Sequence, residues 1–122
     1  MNSVSRAPVL IVEDDADIRE LLSSVLVLEG YRVVTAADGA EGLEQLRTAH
    51  PALILLDLMM PSMDGWEFRR LQLLDPALAG VPTVILSGDG RLEAKAASLG
   101  TSFLRKPVDL DELLSVVANA AA

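Results

Sequence analysis

The residue types suited to chemistry in this 122-residue sequence each follow a short apolar run. Glu13, Asp14 and Asp15 come after Val9–Val12, Asp57 after Leu53–Leu56, Ser87 after Thr83–Leu86, and Lys106 with Pro107 after Ser102–Arg105. Clustered carboxylates repel one another, and burial would raise their pKa values, so such a group is stable only beside a compensating cation. Hard oxygen donors with water to spare suit Mg2+. A lysine and a hydroxyl facing the same point offer a positive charge and a donor to the equatorial oxygens of a transferred phosphoryl group. A carboxylate set between metal and lysine can then act as nucleophile and form an acyl phosphate.

These side chains must be brought together by the elements that precede them. Five runs rich in Val, Ile or Leu read as strands: Val9–Val12, Tyr31–Thr35, Leu53–Leu56, Thr83–Leu86 and the weaker Ser102–Arg105. Three are nearly continuous in apolar residues, the pattern of a strand covered on both faces. Between them lie helical patterns. Ile18, Leu21, Leu22, Val25 and Leu26 follow the spacing of a buried stripe, and Gly30 supplies a stop. Asp38 with Glu41, and Asp109 with Glu112, have the form of capping boxes ahead of apolar positions. Phe68 and Leu71 mark a third helix after Gly65, and Arg91–Leu99 a shorter, Ala-rich fourth. His50-Pro51 and Ala79–Pro82 break the chain before the third and fourth strands. Strict strand–helix alternation predicts an α/β fold, a parallel sheet doubly wound with helices. In such sheets ligands bind outside the carboxyl ends of the strands, where the carboxylates, hydroxyl and ammonium fall.

Length fits one domain, residues 1–122, with Met1–Arg6 and Ala120–Ala122 expected as mobile ends. Half the residues are apolar (51%), which excludes disorder as the main state. The absence of cysteine excludes a disulfide scaffold, a thiolate metal site and a cysteine nucleophile. A net charge of −8 argues against direct nucleic-acid binding. The apolar runs are far too short to cross a bilayer, and a soluble, cytoplasmic protein without membrane attachment is expected.

Val12-Glu-Asp-Asp15, the segment from Leu56 to Gly65, Leu86-Ser-Gly88 and Phe103-Leu-Arg-Lys-Pro107, in this order, resemble the receiver domain of bacterial response regulators in two-component signalling, including the chemotaxis regulators. The resemblance covers nearly the whole chain and implies a (βα)5 sheet of flavodoxin-like order 2-1-3-4-5. It implies that Asp57 is the phosphoacceptor, attacking the phosphohistidine of a histidine kinase or phosphotransfer protein. Asp14 and Asp57 would bind Mg2+ directly, Glu13 through a water, and Met59 through its backbone carbonyl. Lys106 would pair with Asp57 and then with the phosphoryl oxygens, aimed by a cis bond to Pro107. Ser87 would move toward the phosphoryl group, and Phe103 stands at the aromatic switch position. The partner-binding surface would be the fourth helix, fifth strand and fifth helix, serving a downstream protein or output domain. Such a domain is not an enzyme in the usual sense; it catalyses only its own phosphorylation and dephosphorylation.

The sequence departs from the family pattern in places. Ser87 to Lys106 is about three residues short, so a truncated or displaced fourth helix is expected. Gly88 stands where alanine is commoner, and Phe103 lacks a tyrosine hydroxyl. Met59 and Asp89 are positioned to tune phosphoryl lifetime: Met59 by hindering water, Asp89 by orienting or repelling it. Taken singly, Asp57 is a strand-end carboxylate and Glu13 or Asp14 a helix cap; Asp15 suits the cap best. Phe103 reads equally as static core, His50 as a helix-end histidine, and Trp66 as packing around the third helix. The main rival is a receiver-like interaction module that works without phosphorylation. A phosphatase would need a second acid and a cap, and a flavin carrier a phosphate-cradling loop where Glu13-Asp14-Asp15 stands.

Overall fold

A computed structural model describes residues 7–60, 63–88 and 91–120. The strands β1 (Val9–Val12), β2 (Val33–Ala36), β3 (Leu53–Asp57), β4 (Thr83–Ser87) and β5 (Ser102–Arg105) alternate with helices α1 (Ala16–Leu28), α2 (Gly39–Ala49), α3 (Gly65–Leu74), α4 (Leu92–Leu99) and α5 (Leu110–Ala120). All strand pairings are parallel and the order is β2-β1-β3-β4-β5. β1, β3 and β4 are buried along their whole length, as their continuous apolar runs require.

Successive strand residues feed opposite faces of the sheet. Val9, Ile11, Leu53, Leu55, Val84 and Leu86 pack with Leu22 and Leu26 of α1 and Leu113 and Val117 of α5. Leu10, Val12, Ile54, Leu56 and Ile85 pack with Leu43 and Leu46 of α2 and Phe68 of α3. The chain leaves β1 toward β2 on one side and reaches β3 on the other, so strand order reverses at β1/β3, and a crevice is expected at their carboxyl ends.

The helix starts match their caps. Asp15 accepts from the N–H of Asp17 and Ile18, Asp38 from Glu41 (2.8 Å), Asp64 from Glu67 (3.0 Å) and Asp109 from Glu112 (3.0 Å). The Glu41 carboxylate turns back to the N–H of Ala37 instead of Asp38.

Two expectations need correction. β2 starts at Val33 and not Tyr31, because the Tyr31 N–H still closes α1 onto the Leu26 carbonyl (3.0 Å), behind Gly30 at φ 93°. Leu21 is 51% exposed, since the sheet covers a narrower stripe of α1 than the apolar spacing offered. α3 forms where Phe68 and Leu71 marked it, with Phe68 fully buried and Leu71 packed against the same core, and it also buries Arg69 and Gln72. α4 is the shortest of the five helices, with Arg91 as its cap residue. His50 ends α2 in the left-handed region (φ 49°), exposed, and α5 continues through Ala120.

Candidate functional site

The parallel register brings the acidic and basic residues to one edge. Val12 pairs with Leu56, so Glu13 and Asp57 are the next residues of adjacent strands. Asp57 pairs with Leu86, one step before Ser87, and Ser87 pairs with Arg105, one step before Lys106. The Lys106 N–H donates to the Ser87 carbonyl (2.9 Å), which fixes the start of the β5–α5 loop against β4. The Lys106–Pro107 bond is cis, as the resemblance implied.

Glu13 is fully buried, Asp57 is 2% exposed, and Ser87 is buried, while Asp14 faces solvent. One oxygen from each of Glu13, Asp14 and Asp57 lies within 4.8 Å of the others. Lys106 Nζ stands 2.9 Å from Glu13 Oε1 and 3.3 Å from Asp57 Oδ1. Glu13 Oε2 accepts from the Asp15 N–H (3.2 Å), and Asp57 Oδ1 from the Met59 N–H (3.2 Å). Despite the nearby ammonium, Glu13 Oε1 receives no well-aligned hydrogen bond; the ion pair is close but poorly directed.

The electrostatics follow from this crowding. Burial first, and then the charge of Glu13, push the Asp57 carboxyl up from 3.8 to about 7, against the opposing pull of Lys106. Burial alone would lower the Lys106 pKa, but the close approach of the Glu13 carboxylate and the charge of Asp57 raise it overall. A single ammonium therefore faces a three-carboxylate cluster. A divalent cation fits both the all-oxygen donor set and the incompletely satisfied Glu13 Oε1.

Two supporting roles were not assigned from the sequence, although Gly65 itself closes the segment that carries the resemblance. Arg19 Nη1 donates to the Glu13 carbonyl (2.8 Å), holding the peptide between the two acidic residues. Gly65 sits so close to the Asp57 loop that a Cβ there would lie 2.7 Å from Leu58 Cα and 2.8 Å from the Asp57 carbonyl. Backbone acceptors leave no mark in a side-chain pattern, so neither role had a signal beyond the residues' presence.

The remaining candidates are placed as follows. Met59 is 67% exposed beside Asp57, and Asp89 lies outside the described residues, as do Met1–Arg6 and the last two alanines. Phe103 is half-buried and packs on the core cluster containing Ile85 and Phe68. A Cβ at Gly88 would meet only Lys106 Cβ, at 3.9 Å, so alanine would fit. An apolar groove of about 160 Å³ between Ile18, Leu21 and Leu22 of α1 and Pro107 and Val108 borders Lys106. No described helix is long and apolar enough to cross a membrane.

The model of the response regulator receiver domain matches residues 9–118. The transcriptional regulatory protein GlrR of Escherichia coli is 40% identical over 118 residues, which are 93% of this chain and 26% of GlrR. Protein PilG of Pseudomonas aeruginosa is 33% identical over 112 residues, 89% of this chain and 83% of PilG. Among solved structures, the chemotaxis response regulator CheY4 of Vibrio cholerae superposes with a TM-score of 0.87 at 32% identity, covering 95% of this chain and 99% of CheY4. The chain thus spans about a quarter of the length of GlrR.

Proposed function

The chain belongs to the response regulator receiver domain family, and we propose that it is a phosphoacceptor switch in which Asp57 takes a phosphoryl group from the phosphohistidine of a histidine kinase or phosphotransfer protein. The observation that carries this reading is Asp57 itself. Its buried carboxylate ends a central strand between an acidic pair and an ammonium 3.3 Å away.

Oδ1 of Asp57 is engaged by the Met59 N–H and by Lys106, which leaves Oδ2 as the nucleophile. It forms the O–P bond as the P–N bond of phosphohistidine breaks, and the imidazole departs with the bonding pair. Lys106 orients the carboxylate and then balances charge on the phosphoryl oxygens; Ser87, one register step beyond Asp57, donates to one of them. Asp14, Asp57, the Met59 carbonyl and, through water, Glu13 are the residues that would hold Mg2+. The ion supplies charge neutralisation for the approach of one anion to another. Attack of water on phosphorus returns the Asp57 carboxylate and inorganic phosphate. The exposed Met59 side chain hinders that water, and Asp89 tunes the same step.

The groove beside Lys106 receives the donor protein, because it borders the acceptor site and is lined by apolar residues of α1. The new dianion shifts the population of conformations at the Ser87 loop and Phe103, and with it the surface offered by α4, β5 and α5. A downstream protein or an output domain reads that surface, in the cytoplasm.

The test is intact mass after incubation with acetyl phosphate, with and without Mg2+. One added phosphoryl group that requires the metal supports the switch. An unchanged mass in folded protein, beside a receiver control that labels, favours the phosphorylation-independent interaction module.

A further inference from the structure

Three described methionines follow β3, and their surroundings differ. Met60 is 8% exposed and belongs to the core cluster shared with α2 and α3, and Met63 packs against that cluster. The Met63 sulfur also covers Gly39 at the start of α2, so closely that a Cβ there would lie 2.7 Å from Sδ. Met59 joins neither core cluster and is 67% exposed. Packing therefore accounts for Met60 and Met63 and leaves the Met59 side chain without a part in the core.

The place of Met59 in the chain is specific. It stands two residues beyond Asp57, and its N–H donates to Asp57 Oδ1 (3.2 Å). An exposed thioether is thus tethered by its own backbone to a carboxylate that is itself 2% exposed. A thioether is apolar and a weak acceptor, whereas its sulfoxide is polar and carries an oxygen that accepts hydrogen bonds from water. Exposure favours that oxidation, and the core shields Met60 and Met63 from it.

We propose that Met59 is an oxidant-sensitive modification site: a peroxide converts its thioether to the sulfoxide and thereby shortens the life of the phosphoryl group on Asp57. With hydrogen peroxide, the sulfur attacks one peroxide oxygen, the S–O bond forms as the O–O bond breaks, and the other oxygen leaves as water carrying both protons. Sulfur gives up two electrons and the peroxide takes them. The modification rests on the exposure of Met59, whereas its consequence rests on the phosphoacceptor reading, in which this side chain keeps water from phosphorus. A sulfoxide oxygen in the same place binds a water near the phosphoryl group instead of excluding it. Sulfoxide reductases return the thioether, so the change is reversible.

The test uses the full chain, oxidised with dilute hydrogen peroxide, freed of it with catalase, and mapped by peptide mass. In the folded chain Met59 should gain oxygen at least about tenfold faster than Met60 and Met63, and in urea the three should react at similar rates. Acetyl phosphate and Mg2+, followed by desalting and intact mass against time, then give the lifetime of the adduct. The oxidised parent should lose its phosphoryl group at least about threefold faster than the untreated parent, and methionine sulfoxide reductases should restore the slower rate. Met59→Leu, compared with itself before and after peroxide, should show no change, which separates Met59 from Met1. Oxidation of Met59 no faster than that of Met60 overturns the site. An adduct whose lifetime is unaltered by oxidation of Met59, or is shortened equally in Met59→Leu, overturns the consequence and leaves the phosphoacceptor reading intact. Absence of an adduct in the untreated parent overturns that reading and the effect on lifetime, while the peptide map still decides the site.

Discussion

The Lys106 ammonium reaches Glu13 Oε1 at 2.9 Å, and the Glu13 side chain it serves has no exposure to solvent. Removing one partner of a buried ion pair leaves the other charge uncompensated, at a typical cost of about 3–5 kcal/mol. Lys106→Met should therefore destabilise the metal-free domain at pH 7 by roughly 3 kcal/mol, with a smaller loss at pH 4, where Asp57, the second carboxylate beside Lys106, holds its proton. Urea unfolding at the two pH values measures this, and Mg2+ should restore part of the loss. Equal midpoints for parent and variant would show that the pair contributes nothing.

Asp57 sets a second dependence on pH. Its carboxyl titrates at about 7 in the folded chain against 3.8 ordinarily, chiefly because it is buried. The folded form therefore holds this proton more tightly than the unfolded form, and stability falls as pH rises from about 4 through about 7. Metal-free Asp57→Asn should be more stable than the parent at pH 8, by roughly 1–4 kcal/mol, and should converge with it near pH 4. Mg2+ should stabilise the parent at pH 8 and leave the variant nearly unaffected. Thermal melts across this range that show no divergence would contradict the raised pKa.

Arg19 acts on the site through the backbone. Its bond to the Glu13 carbonyl fixes the peptide that precedes Asp14, whose own carboxylate is exposed. Arg19→Met keeps the stem and loses the donor; it should weaken Mg2+ binding by roughly fivefold to tenfold, about 1 kcal/mol, with Arg19→Lys recovering part. Calorimetric titration with Mg2+ distinguishes this from a general loss of stability, which would not respond to the lysine replacement in the same way.

Gly65 is required by close approach. A methyl group there meets the backbone of Asp57 and Leu58 below 3.0 Å, and neither can rotate away. Gly65→Ala should cost roughly 1–3 kcal/mol and slow labelling by acetyl phosphate at least tenfold, with the helical content retained. Parent-like labelling by a folded variant would show that the loop position is not critical.

The carboxyl edge of the sheet was legible because the runs before Glu13, Asp57 and Ser87 are nearly continuous in apolar residues and place their last residues at one level. Cap residues were legible for the same local reason: Asp38 and Asp109 meet amides three residues away. The burial of Arg69 was not: its Nε and Nη2 donate to the carbonyls of Leu99 and Gly100, 30 and 31 residues along the chain. Leu21 fits the α1 stripe by spacing, but its surroundings depend on how far the sheet extends beneath the helix. Periodicity records which face is apolar, and only tertiary packing decides how much of it is covered.

Reduction with borohydride converts an aspartyl phosphate to homoserine and so marks the residue that carried the phosphoryl group. Applied to the parent after acetyl phosphate and Mg2+, followed by peptide sequencing in the mass spectrometer, it should place homoserine at position 57 alone and at no position in Asp57→Ala. Homoserine at position 14, or an equal yield from Asp57→Ala, would contradict the assignment of Asp57 as the acceptor.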